Sequence, residues 1–186
     1  MDRRKRGKVA VSLQASDRHS EQAKRCARFD LRSRRDARTD PRLRARRRTS
    51  AIGIVRYNRL IDTFLGLTTY SLQNHLRTTV KGIGQIEIDE LYIGLDKHGC
   101  HYVVPVQAKG GKDRIGVVQT TQDIRYVAQK FPGVRCRSIA AQFMDDAIIA
   151  MCELALQSDE VKVVEERHYK LVPATELDST AIRSYR

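Results

Sequence analysis

Hydrophobic and polar positions change their pattern along the chain at about residue 54. Before this point no period of 2 or 3.6 residues is sustained, whereas after it helical and strand patterns alternate. The first helical spacing is formed by Val55, Leu60, Ile61, Phe64 and Leu65. After Gly66, the stretch 70–76 predicts a second helical segment. We therefore expect a folded domain at 54–186 and a separate N-terminal segment at 1–53.

Two strands joined by a turn are predicted next. Residues 85–95 alternate between apolar and polar side chains, as a strand with one buried face does. A turn at 97–99 leads into a second strand pattern at 101–109. Because the connection is so short, the two strands should be antiparallel neighbours.

The second half of the domain continues the alternation. A loop or short strand from Asp113 should lead into a helix that ends at 131–133, and residues 134–140 predict a strand. Asp145 and Asp146 would cap a further helix that ends near Leu156, and the last strand is expected at 161–169. This order predicts an α/β domain whose mixed β-sheet is flanked by helices.

Positive charge is concentrated in the first fifty residues. They contain 18 Lys+Arg against 6 Asp+Glu, so they carry most of the net charge of +13, and residues 51–186 keep only +1. The segment has too few large apolar residues to fold alone. Three interpretations remain open: a disordered arm that binds nucleic acid, a solvated tail, or translation from a wrong start or a shifted frame.

Length and composition limit the class of protein. At 186 residues one domain is expected, and no apolar run approaches the roughly 18 residues needed to span a bilayer. We expect a cytoplasmic protein without a membrane partner. The cysteines lack CxxC spacing, which argues against a zinc ribbon or a disulfide framework. A helical pattern at 178–186 has no stop signal, so the natural chain is expected to continue.

Four polar side chains on the two hairpin strands are candidates for catalysis. Glu87 and Asp89 share one face of the first strand, and Gln107 and Lys109 share one face of the second. Phosphodiester hydrolysis needs oxygen ligands for a divalent ion, a cation near the phosphate and an activated water. Asp89 and Gln107 would bind metal, Glu87 is a further ligand, and Lys109 would assist water.

The residues Glu87-Ile88-Asp89-Glu90, followed after a turn by Val106-Gln107-Ala108-Lys109, resemble the signature of PD-(D/E)xK nucleases. More broadly, the stretch 57–173 is similar to small bacterial endonuclease-like proteins. The resemblance implies a restriction-endonuclease-like core, dependence on Mg²⁺ with Mn²⁺ as a substitute, and hydrolysis of DNA. It makes Asp89, Gln107 and Lys109 the catalytic residues.

The sequence departs from this family at two positions. Gln107 stands where Glu or Asp is usual, and no proline precedes Asp89. A neutral amide weakens a magnesium site unless Glu87 or Glu90 replaces the missing anionic ligand, and strand parity makes Glu87 the better placed of the two. An inactive nuclease-fold module that binds nucleic acid or a protein partner is therefore a second hypothesis. A third is a structural domain in which Asp89 and Lys109 form a solvated cross-strand ion pair.

Contacts with DNA are expected from four other residues. Gln122 and Tyr126 resemble the Gln-x-x-x-Tyr motif of one nuclease branch, Lys112 ends a glycine-rich loop, and Arg77 could contact phosphate. With a net charge of only +1, the domain must bind DNA through local patches or as a homodimer. His75 is expected on the surface of the second helical segment or in its packing.

Overall fold

The structure, a computed structural model, describes residues 9–12, 51–111, 113–144 and 148–173. Within these ranges residues 51–57 are helical, and two further helices are α1 (Leu60–Leu65) and α2 (Val117–Lys130). One sheet contains β1 (Val9–Ser12), β2 (Thr68–Val80), β3 (Gly84–Leu95), β4 (His101–Gly110), β5 (Arg135–Cys136), β6 (Ser138–Phe143), β7 (Ile148–Gln157) and β8 (Glu160–Pro173).

The sheet is mixed and mostly antiparallel. Its strand order is β1-β8-β7-β6-β4-β3-β2, and β5 pairs with β4. Only β4 with β5 and β4 with β6 are parallel among the described pairs. Helix α2 connects β4 to these parallel partners, as the geometry of a crossover requires. The expected α/β class with a mixed sheet and helices is thereby confirmed.

Two apolar layers hold the helices against opposite faces of the sheet. Successive side chains of β4 point to opposite faces, so Val104 packs with the layer under residues 51–65 and Val103 packs with the layer under α2. Tyr126 and Val127 are the buried apolar residues that α2 contributes. The site described below lies on strands that these two layers fix from both sides.

The predicted hairpin is confirmed, and so are several elements around it. β3 and β4 are antiparallel, with the turn at 97–99 between them. The helix ending at 131–133 is α2, and the last predicted strand lies within β8. The strand predicted at 134–140 is divided between β5 and β6. The pattern at 178–186 lies outside the described residues, as does most of 1–53.

The second predicted helical segment is wrong, because residues 70–76 belong to strand β2. The register of β2 against β3 shifts between Ser71 and Gln73, and His75 has a left-handed φ of 47°. A bulge inserts an extra residue and breaks the two-residue alternation that marks a strand. Leu72 and Leu76 lie four positions apart, so this pair imitates helical spacing.

The helix predicted to end near Leu156 is also wrong. Residues 148–157 form strand β7, between β6 and β8, and 145–147 lie outside the described residues. Six consecutive residues, 149–154, are buried. A strand covered on both faces is a continuous apolar run, which periodicity cannot distinguish from a buried helix. Among the described residues, no helix is long and apolar enough to cross a membrane.

Candidate metal centre

Strands β3 and β4 are joined at the candidate site through side chains. Their paired residues run from Leu95 opposite His101 to Glu90 opposite Val106. Further along, the backbone N–H of Ala108 donates to Oδ2 of Asp89 at 2.9 Å. The Gln107 Nε2 donates to the carbonyl oxygen of Glu87 at 3.0 Å. The two strands thus hold a carboxylate and an amide between them.

Asp89 and Lys109 form a buried ion pair at this position. The Lys109 Nζ lies 3.9 Å from Oδ2 of Asp89, and the two side chains are only 8% and 2% exposed. An exposed ion pair would contribute little to stability, whereas a buried ion pair requires that two charges leave water. The arrangement differs from the solvated cross-strand pair of the third hypothesis.

A third strand brings a histidine to the same carboxylates. One ligand atom each from His75, Glu87 and Asp89 lies within 4.8 Å of the other two. Two carboxylates and an imidazole suit a divalent cation. The residues present therefore fit a divalent cation, the class of metal that the resemblance implies. The sequence did not indicate His75, because the pattern of β2 imitates a helix.

Both the nitrogen and the oxygen of the Gln107 side-chain amide form hydrogen bonds with other side chains. It is 1% exposed, its Nε2 donates to Oδ2 of Asp123 at 2.8 Å, and its Oε1 accepts from Nε2 of Gln119 at 2.9 Å. The amide oxygen expected to bind metal thus has a protein donor. The metal-binding role of Gln107 stays a prediction.

Asp123 is a buried carboxylate that the sequence analysis did not single out. It is fully buried in α2, and its Oδ1 has no hydrogen-bond partner among the described residues. The pKa of Asp123 is raised to about 7, chiefly by burial and in part by the charge of Asp89, against the hydrogen bond from Gln107 and the charge of Lys109, which lower it. The spacing of Asp123 with Tyr126 and Val127 on one helical face is the signal that could have revealed it.

Glu90 has a different role from its neighbours on β3. It is fully buried, pairs with Arg56, and accepts hydrogen bonds from Ser71 Oγ at 2.6 Å and Tyr92 Oη at 2.8 Å. These donors hold the Glu90 carboxylate and leave Glu87 as the better placed additional ligand. The hydrogen bond to Glu90 also contributes to the raised pKa of Tyr92, although burial is the larger cause.

The four residues expected to contact DNA occupy different environments. The Arg77 side chain is 79% exposed, and its Nε lies 3.4 Å from Oε2 of Glu87. Gln122 is half-buried, whereas Tyr126 is 8% exposed and contacts the edge of Phe131 with a centroid distance of 6.3 Å. Lys112 lies outside the described residues. Of the described three, Arg77 alone presents most of its side chain to solvent at the candidate site.

Comparison of the chain with models of known protein families found no match, and comparisons with curated proteins and with solved structures found none either.

Proposed function

We propose that the protein is a metal-dependent endonuclease that hydrolyses phosphodiester bonds in DNA, with a restriction-endonuclease-like core in residues 54–186. The observation that carries the proposal is the buried pair of Asp89 and Lys109 beside a second carboxylate and an imidazole. Burying two charges 3.9 Å apart costs free energy of desolvation that their attraction and their other contacts have to offset. A substrate and a metal that use both charges give a physical reason for keeping them.

Each residue of the site has a chemical task in this proposal. Asp89 and Glu87 bind the metal, with Gln107 as the additional oxygen ligand that the resemblance implies. Bound Mg²⁺, or Mn²⁺ in its place, lowers the pKa of a coordinated water and polarises the phosphate. Lys109 orients the attacking water and offsets the negative charge that develops on the phosphate.

Binding of DNA is assigned to exposed cations around the site. Arg77 lies next to Glu87 with most of its side chain in solvent, so it can contact a phosphate beside the metal. Residues 51–186 carry only +1, and a homodimer would present two such patches to a duplex. A cytoplasmic location, where DNA and Mg²⁺ are both accessible, belongs to the same proposal.

A catalytically inactive module that binds nucleic acid or a protein partner is the second candidate. The observation that favours it is the hydrogen bond from Gln119 to the Oε1 of Gln107, because this bond occupies the oxygen that should bind metal. In such a module Asp89 and Lys109 would hold strands β3 and β4 in register. Binding without cleavage is its expected behaviour.

Cleavage of supercoiled plasmid by the full-length chain tests the two candidates. We expect nicking with Mg²⁺ or Mn²⁺ and none with EDTA. Asp89→Asn keeps an acceptor for the Ala108 N–H but removes the charge that binds metal, and Lys109→Met removes the cation. Each substitution should lower the cleavage rate about 100-fold or more.

Two exposed residues provide matched controls for charge. Asp159→Asn and Lys130→Met remove the same kinds of charge away from the site, and both should cleave at the wild-type rate. Thermal melting of every variant separates loss of chemistry from loss of the fold. A folded wild-type protein that cuts with neither metal would refute the nuclease proposal, and retained DNA binding would then support the inactive module.

A further inference from the structure

His75 occupies an unusual position in strand β2. Its chain neighbours Asn74 and Leu76 pair with Glu90 and Ile88 of β3, so His75 lies opposite Asp89. The backbone of His75 has a φ of 47°, a left-handed conformation that is uncommon outside glycine and that asparagine, aspartate and histidine adopt more often than other residues. The imidazole is exposed, yet one of its nitrogens lies within 4.8 Å of oxygens of Asp89 and Glu87.

We propose that His75 is a protein ligand of the metal at this site, and that its imidazole makes the site prefer Mn²⁺ or a similar transition metal to Mg²⁺. This inference depends on the metal centre of the proposed function. Metal bonds of about 2.0–2.2 Å keep ligand atoms within roughly 4.4 Å of one another. A shift of a few tenths of an ångström by the exposed His75 or the half-buried Glu87 therefore brings all three donors into range.

The chemistry of the donors determines the metal. Mg²⁺ favours oxygen ligands and octahedral geometry, whereas transition metals also bind imidazole nitrogen, with an affinity that is lowest for Mn²⁺ and rises through Fe²⁺, Co²⁺ and Ni²⁺. The oxygen that would complete a magnesium site, Oε1 of Gln107, accepts a hydrogen bond from Gln119. With His75 the donor set contains an imidazole nitrogen beside the two carboxylates, rather than oxygens alone.

A second observation is the surplus of carboxylates around Lys109. Asp123 is fully buried, and its Oδ1 lacks a hydrogen-bond partner among the described residues. Its Oδ2 is bonded to the same Gln107 amide that contacts the Glu87 carbonyl. A divalent cation bound by Asp89, Glu87 and His75 would offset the negative charge of the two carboxylates that it contacts.

Metal titration of the full-length protein without DNA tests the proposal, by calorimetry for Mg²⁺ and by electron paramagnetic resonance of free Mn²⁺. His75→Gly removes the imidazole and tolerates a positive φ, so the bulge should persist. We expect the affinity for Mn²⁺ to fall about tenfold or more and the affinity for Mg²⁺ to change less than about threefold. Asparagine also tolerates this backbone conformation and offers an oxygen ligand, so His75→Asn should have a higher affinity for Mg²⁺ relative to Mn²⁺ than the wild type.

The matched control is His101→Ala, because His101 is an exposed strand histidine at the far end of the hairpin. It should bind both metals like the wild type. An unchanged ratio of Mn²⁺ to Mg²⁺ affinity in His75→Gly, or a wild type that binds neither metal, would overturn the inference. Plasmid cleavage is measured separately. If metal binding depends on His75 but the wild-type protein does not cut plasmid, His75 is a metal ligand and the nuclease proposal is refuted. If the wild-type protein cuts plasmid but His75→Gly binds both metals unchanged, the nuclease proposal is supported and His75 is not a ligand.

Discussion

Replacement of Arg137 by methionine is expected to lower the free energy of unfolding by about 3–5 kcal/mol. Arg137 lies between β5 and β6, where its guanidinium forms two hydrogen bonds with Glu153 of β7, at 2.7 and 2.5 Å. A third bond, of 3.0 Å, reaches the carbonyl oxygen of Leu65 at the end of α1. Methionine would leave the Glu153 carboxylate, which is 10% exposed, without its main partner. Urea unfolding at pH 7 measures the loss.

A neighbouring arginine provides the control for Arg137. Arg135→Met removes an exposed guanidinium two residues away and should change stability by less than about 0.5 kcal/mol. The double variant Arg137→Met with Glu153→Met should recover much of the loss, because two apolar side chains of similar volume leave no buried charge. If Arg137→Met costs less than about 1 kcal/mol, the pair does not connect α1 to the sheet as argued.

The parts of the fold that the sequence predicts are those in which local pattern and local contacts agree. The β3–β4 hairpin has clear alternation and a short turn, so its register needed no information from elsewhere in the chain. Strand β7 resembles a helix because residues 149–154 are all buried, and its neighbours β6 and β8 become known only from the tertiary structure. Strand β2 is concealed by its own bulge.

In the candidate site too, the residues that the sequence predicts are those whose contacts are local. Asp89 and Lys109 could be paired from the hairpin alone, since strand parity and turn length place them on adjacent strands. His75 could not be predicted, because its contact with Asp89 depends on a backbone irregularity in a strand whose pattern is helical. Asp123 required knowledge of which face of α2 packs over β4. Neither packing nor bulge geometry is encoded in short-range periodicity.

Removal of the charge of Asp123 is expected to change how stability depends on pH. Burial raises the folded-state pKa of Asp123 from 3.8 to about 7, so the folded protein holds a proton that the unfolded chain has lost. The stability of the wild type should consequently fall by up to about 1.4 kcal/mol per pH unit between pH 4 and 7. Above pH 7 Asp123 is ionised in both the folded and the unfolded protein. The loss of stability that its buried charge causes, at most about 4 kcal/mol, then stays constant.

Asp123→Asn has the shape of the protonated acid and still accepts the hydrogen bond from Gln107, so it should lack this slope. The variant should resemble the wild type near pH 4 and be more stable than it at pH 8. Urea unfolding across this range measures the difference. Asp159 is an exposed carboxylate in the turn between β7 and β8 that pairs with Arg125 of α2, and Asp159→Asn should keep the wild-type slope. Parallel curves for Asp123→Asn and the wild type would mean that Asp123 is ionised at low pH in the folded protein, and that Lys109 stabilises two carboxylates rather than one.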